Sequence, residues 1–327
     1  MEKYKISFFS VCQFNKARFI PENYLALKKF YKDIKYSVII PSKEINQFKN
    51  LLKEKKLEDI NLINEQEFIS ISMVINLLKD ELKEKNIDIN LIDLKRIGWY
   101  YQQILKISFL FKESKNFEKI VMIDADTIVL KKLNFFSGNH SLISFSNYER
   151  NLYYRDSCEY IFRTIFPNWK SSTVQLFAIN SQEVSFLKSK LDSFKKFNFD
   201  ESISQWLTRI IFKTILEKYK SINGSLFSEQ DLIGCSNILN GSKNKVERIF
   251  IRAYAVGILN QTQKKIASLL GFQYLTYEEY FLTKEKCSFK DFLFITLINN
   301  PIIYNFLKFL RSKLNFRFLR LLKKIFK

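Results

Sequence analysis

The sequence predicts an α/β fold, a mixed and mostly parallel sheet flanked by helices. Three observations carry this reading. Strand and helix signals alternate through the first hundred residues, and the apolar run IVMI at 120–123 has the composition of a strand buried on both faces. Only 7 Gly and 4 Pro among 327 residues leave too few turn formers for a many-turned all-β design. With 47% hydrophobic residues the chain can bury a sizeable core despite a formal charge of +20, which excludes disorder over most of its length.

Each element has its own signal. Residues 6–12, ISFFSVC, read as a first buried strand, and 24–31 as part of a helix. Residues 36–40 form a second strand, stopped by Pro41, which has no N–H to give a ladder. Ser42 then stands where an N-cap would open a helix running to about residue 55. A third strand fits 60–63, and a β-α-β-α-β opening of this kind favours parallel strands with helices on both faces. Helical period returns at 71–85 and 99–112. The clearest segment is 119–130, KIVMIDADTIVL, in which the apolar run ends in two carboxylates. Beyond it, strands fit 141–145 and 174–179, and helices fit 160–165, 183–194, 203–219 and 228–240. No internal repeat or flexible linker is visible, so residues 1–283 read as one domain and 284–327 as a helical tail.

The charge is unevenly spread. Residues 301–327 hold eight Lys/Arg and no acid, which leaves +12 on residues 1–300. Lys313, Arg317, Arg320, Lys324 and Lys327 recur at steps of four and three, and Leu310, Leu314, Phe318, Leu321 and Ile325 form a second stripe. That spacing predicts a basic amphipathic helix suited to an anionic membrane surface, the alternative being a helix packed on the domain. Asp291, Asn299, Asn300 and Pro301 argue against a transmembrane span there. Basicity by itself would also fit nucleic acid, but no helix-turn-helix, RNA-recognition or zinc-finger spacing accompanies it, so no nucleic-acid partner is expected.

Cys12, Cys158, Cys235 and Cys287 are far apart and form no CxxC pair, which fits a reducing compartment. The apolar run at 6–12 is too short for a secretory signal. The expected location is therefore cytoplasmic, peripheral on the cytoplasmic face of an inner membrane. His140 is the single histidine, read as an ordinary loop residue, and it excludes multi-histidine zinc sites and makes a Ser–His–Asp machine a poor fit. A metal here would be held by carboxylates and phosphate oxygens, which suits Mn²⁺ or Mg²⁺.

Ligands of open α/β sheets bind beyond the carboxyl ends of strands, and 119–130 places Asp124 and Asp126 at such an end. Two carboxylates so close need cations, donors or water. A divalent ion bridging a diphosphate would satisfy both and neutralise a leaving group. The plain alternative is that they cap a turn or are solvated beside Lys131 and Lys132. On the preceding helix Gln102 and Lys106 are four apart and share a face, with Trp99 and Tyr100 as core anchors. A haloacid-dehalogenase-type phosphatase with Asp124 as nucleophile competes, but Thr127 and Ile128 stand where that class has Gly and Thr or Val.

The block IVMIDADTIVLKK, the helix GWYYQQILKISFLFK at 98–112, STVQLFAINSQEV at 172–184 and FSEQDLIG at 227–234 together resemble GT-A glycosyltransferases linked to bacterial surface-polysaccharide (lipopolysaccharide or capsule) synthesis. The resemblance spans residues 4–240 and implies a Rossmann-like GT-A fold. It implies a nucleotide-sugar donor, a glycan or lipid-linked acceptor, and Asp124-Ala125-Asp126 as the DxD motif. Asp126 would then ligate Mn²⁺ or Mg²⁺ and Asp124 would contact the metal or the donor ribose. Lys106, with Gln102, would face the donor and balance diphosphate charge. Ser10 and Gln13, in a loop after the first strand, would contact the nucleotide base or ribose, with Lys16 and Arg18 adding positive charge. Glu229 would contact the acceptor or act as general base, with Asp231 as the alternative base or as a capping residue after Ser228. No histidine follows His140 to complete the metal ligands that many such enzymes use.

Overall fold

The computed structural model describes residues 6–138, 140–145, 151–193, 201–242, 244–252, 257–277 and 286–299. The chain falls into two compact units, Met1–Thr127 with Leu133–Arg248, and Ile128–Lys132 with Ile249–Lys327. The boundary expected at 283 and the basic helix expected over 301–327 lie outside the described residues.

The first unit is built on a five-stranded sheet in the order β3-β2-β1-β4-β9. Strands β1 (Ile6–Val11), β2 (Ile34–Ile40), β3 (Asn61–Asn64) and β4 (Lys119–Ile123) are parallel, and β9 (Leu176–Asn180) runs antiparallel to β4. The sheet is therefore mixed and mostly parallel, as the apolar runs predict. Phe8, Phe9, Ile120 and Val121 are fully buried on its two faces.

Helix α1 (Ile20–Phe30) carries Pro21 in its first turn, where a missing N–H costs nothing. Helix α2 (Ile45–Glu54) starts later than expected, because Ser42–Glu44 forms a 3₁₀ turn and no side chain caps the helix. The Glu44 carboxylate instead accepts the Phe14 N–H at 2.8 Å, tying this turn to the segment after β1. Helix α3 (Ile71–Glu84) is capped by Ser70. Helix α4 (Ile97–Glu113) is buried along most of its length, with the Phe109 ring tilted against Phe9 of β1 at 4.5 Å between centroids. Side chains of that size contribute about 1.5–3 kcal/mol each on burial, so α4 is fixed firmly on the sheet.

Strand β4 ends at Ile123, where the apolar run meets the two carboxylates as expected. Asp124 O accepts the Thr127 N–H at 3.0 Å, so the chain turns over Asp124-Ala125-Asp126 before β5 (Thr127–Val129). A hairpin of β6 (Phe136–Ser137) and β7 (His140–Ser141) follows, with His140 exposed, and β8 (Ile143–Phe145) pairs in parallel with β10 (Lys245–Glu247). Helix α5 (Leu152–Phe162), expected only over 160–165, begins at an Asn151 cap and ends at Arg163, whose φ of 49° is left-handed. Helices α6 (Ser181–Asp192) and α7 (Ile203–Tyr219) open with capping boxes at Asn180–Glu183 and Ser202–Gln205. Helix α8 (Glu229–Leu239) is capped by the Ser228 hydroxyl.

The second unit contains a sheet ordered β11-β12-β5, in which β11 (Phe250–Arg252) and β12 (Tyr274–Thr276) are parallel. Its helices are α9 (Gln261–Leu269) and α10 (Phe289–Asn299), and Gln263 Nε2 of α9 donates to Cys287 O, two residues before α10, at 3.1 Å. Among the described residues no helix is long and apolar enough to cross a membrane.

Candidate active site

The strand order reverses between β1 and β4, since the chain runs outward from β1 through β2 and β3 and then returns to β4 on the other side. Such a reversal opens a crevice at the carboxyl ends of the two strands, where ligands of open α/β sheets bind. Both strands end here in charged segments. The turn after β1, Phe14–Phe19, carries Lys16, and β4 runs into Asp124-Ala125-Asp126. Lys16 Nζ lies 2.8 Å from Asp126 Oδ2 and so spans the crevice.

A second lysine closes the site from the side of α4. Lys106 Nζ donates to Asp124 Oδ1 and to Glu229 Oε1, both at 2.7 Å, and its side chain is only 5% exposed. One turn before it, Gln103 Oε1 accepts the backbone N–H of Glu229 at 3.0 Å. Helix α4 thus holds the first residue of α8 twice, by its N–H and by its carboxylate. Gln102, the residue expected to face the donor with Lys106, is half-buried on the same helix; the glutamine that bonds Glu229 is Gln103, three residues before Lys106 and so on the same face as it.

The cluster holds three carboxylates, Asp124, Asp126 and Glu229, and two ammonium groups. Burial opposes protonation of Lys106, but the charges of Asp124 and Glu229 outweigh it and raise its pKa. Burial raises the Asp126 pKa; Lys16 opposes that shift and the neighbouring Asp124 charge adds to it.

Asp231 is fully buried and its oxygens are occupied. Oδ1 accepts the Ser172 N–H at 2.8 Å, while Oδ2 accepts the hydroxyls of Ser171 at 3.0 Å and Thr173 at 2.8 Å. Burial lifts its pKa to about 6, against these donors, which pull it down. The neighbouring Gln230 Oε1 accepts the Val174 N–H at 2.7 Å, so the first turn of α8 fastens the whole segment before β9. That segment delivers Gln175, whose carbonyl accepts the Asp124 N–H at 2.8 Å. Gln175 has φ 57°, and its own Oε1 is buried with no hydrogen-bond partner among the described residues.

Ser10 lies inside β1, not in the loop expected after it. Its hydroxyl donates to Ile123 O at 2.7 Å and shares a 2.9 Å hydrogen bond with Tyr36, bracing β4 just before Asp124. Gln13 is exposed in the first residues after β1. The sequence reading missed the partners Gln103, Gln175 and Gln230. Only Gln103 had a readable signal, its three-residue spacing from Lys106; a left-handed backbone at a non-glycine residue has none.

The donor set can be tested against a divalent ion. Among the described residues no three His, Cys, Asp or Glu are grouped to hold a metal. Asp124 and Asp126 each commit one oxygen to a lysine and keep lone pairs on the other for a hard cation. They fit Mn²⁺ or Mg²⁺ completed by phosphate oxygens and water, and do not fit a cage of protein ligands alone.

The model of a family of unknown function (DUF6492) matches residues 23–185, just under half of the chain. No curated protein matches the sequence. Similar solved structures include the galactosyltransferase LgtC in complex with donor and acceptor sugar analogues, at 10% identity and a TM-score of 0.39, covering 83% of this chain and 86% of that one. Mouse xyloside xylosyltransferase 1 in its apo form is similar at 11% identity and a TM-score of 0.41, covering 86% of this chain and 99% of that one. Both are glycosyltransferases by name.

Proposed function

We propose that this chain is a metal-dependent glycosyltransferase that moves a sugar from a nucleotide-sugar donor to a glycan or lipid-linked acceptor in bacterial surface-polysaccharide synthesis. One observation carries the reading: Lys16, Lys106, Asp124, Asp126 and Glu229 converge at the point where the strand order reverses. A crevice lined by both signs of charge suits a substrate whose diphosphate is anionic and whose sugar and acceptor are polyhydroxylic.

Asp124 and Asp126 would hold Mn²⁺ or Mg²⁺ against the donor diphosphate. Such an ion, when bound, neutralises the charge that develops on a departing nucleoside diphosphate. Lys16, whose side chain is 33% exposed, presents a second cation to the phosphates from the opposite wall. Lys106 is buried between two carboxylates and sets their orientation before substrate arrives. Glu229 then faces the acceptor, orienting its hydroxyl or taking its proton as the new bond forms. Asp231, with both oxygens engaged, holds the segment 171–173 instead. Ser10 supports the end of β4, and Gln13 and Gln102 would contact the nucleotide base or ribose and the donor. The basic segment 301–327 would hold the enzyme on the anionic cytoplasmic face of the inner membrane.

The test is nucleotide release from a panel of UDP- and GDP-sugars with Mn²⁺ and a mixed glycan acceptor pool. One donor class should turn over in the parent and not in Asp126→Ala with an unchanged melting curve. Equal turnover by both proteins would refute the assignment.

A further inference from the structure

We propose that the outward face of α10 is a lipid-contact surface that lies in the interface of an anionic membrane. Phe289, Leu293 and Leu297 recur every four residues and so form one line along the helix. Their exposures are 63%, 46% and 40%, and Phe294, at 40%, widens the band. On the other side of the helix Phe292 and Ile295 are fully buried. Helix α10 is therefore apolar towards the core and towards solvent. A helix that is hydrophobic all round normally has both faces covered, which leaves the outward line in need of an occupant.

Charge selects the occupant. Lys290 is exposed beside Phe289, and Asp291, the one acid on α10, is turned to a hydrogen bond with the Ser288 hydroxyl at 2.7 Å. The chain continues from this helix into 301–327, with eight Lys/Arg and no acid. Two such segments brought together in a dimer would repel each other. An anionic leaflet attracts each basic residue near its surface, and its acyl chains accept Phe and Leu. Electrostatic attachment by the segment beyond 300 is part of the functional reading above; penetration of the bilayer by the α10 line goes beyond it.

The full chain is sedimented with vesicles of 3:1 phosphatidylglycerol and phosphatidylcholine. A Leu293→Trp variant is read with acyl chains brominated at known depths, against the background of the parent's tryptophans. Vesicle binding should bring an added, bromine-quenched emission from the new tryptophan. The triple variant Phe289→Ser, Leu293→Ser, Leu297→Ser should bind these vesicles at least tenfold more weakly, with its melting curve and nucleotide release unchanged. Absence of vesicle binding by the parent, an unquenched tryptophan in vesicle-bound protein, or equal binding by the triple variant would each overturn the proposal. So would a dimer lost in the triple variant without loss of vesicle binding, which would make this face a contact between copies. Nucleotide release is read separately, so failure here leaves the glycosyltransferase reading untouched.

Discussion

The ammonium group of Lys106 stands 2.7 Å from the carboxylate of Glu229, 123 residues further along the chain, in surroundings where the two side chains are 5% and 7% exposed. This pair joins α4 to the first residue of α8 and sets where the acceptor-facing carboxylate sits relative to Asp124. Removing one partner of a buried ion pair leaves the other charge uncompensated and costs about 3–5 kcal/mol. Lys106→Met should therefore lower stability by roughly that amount, measured by denaturant unfolding. Adding Glu229→Gln to Lys106→Met should restore part of the loss, because one of the two stranded carboxylates is then neutral. Additive losses in the double variant would show that the two side chains are not coupled.

Glu229→Gln alone separates catalysis from donor binding. The amide keeps the side-chain shape and can still accept from Lys106, but it takes no proton. Transfer should fall about 10²–10⁴-fold, the range of a lost general acid or base. Binding of the metal–nucleotide complex should change little. A parallel loss of nucleotide affinity would move Glu229 to the donor side of the site.

Asp231 makes a pH prediction. Its folded pKa of about 6 lies above the ordinary aspartate value of 3.8, so the folded state holds this proton across that window while the unfolded chain has released it. Its contribution to stability is full below pH 3.8, declines as the pH rises to about 6, and is level above that. Asp231→Asn removes the titration, and the hydroxyls of Ser171 and Thr173 can turn to accept from the new amide. The stability difference between parent and Asp231→Asn should therefore vary between pH 4 and 6 and be constant from pH 7 to 8. A difference independent of pH throughout would contradict the burial-raised pKa.

Gly234 lies against the same segment. A Cβ built there overlaps Ser172 Oγ and comes to 3.0 Å from Ser172 Cβ. Gly234→Ala should cost about 1–3 kcal/mol, as overpacking of a close contact does. Ser172→Ala in the same chain should recover part of it, since the hydroxyl is the first obstacle. A stability gain in Gly234→Ala, as expected of a plain helix position, would show that the segment yields freely.

Elements with both periodicity and flanking caps were the most legible. Helix α7 runs over the residues its apolar spacing predicts because Ser202 and Gln205 mark its start. Helix α5 was obscured, since Leu152 and Tyr153 face solvent and only Tyr154, Cys158 and Ile161 keep the buried spacing. Ser42 looked like a cap in sequence, but the tertiary partner of Glu44, the Phe14 N–H, decided that turn. The carboxylate pair was legible because an apolar strand makes charge at its end conspicuous. What joins the pair to Lys16 and joins Lys106 to Glu229 is strand order, and these contacts across more than a hundred residues leave no local pattern in the chain.

Isothermal titration with nucleoside diphosphates, with and without Mn²⁺, on the parent and on Asp126→Asn tests the central claim most directly. The parent should bind UDP or GDP in a strictly Mn²⁺-dependent manner, and Asp126→Asn should lose that Mn²⁺-dependent binding while retaining the parent's circular dichroism. Binding of equal strength in Asp126→Asn, or no nucleotide binding by the parent in Mn²⁺, would contradict the assignment of Asp124 and Asp126 to a metal–diphosphate site.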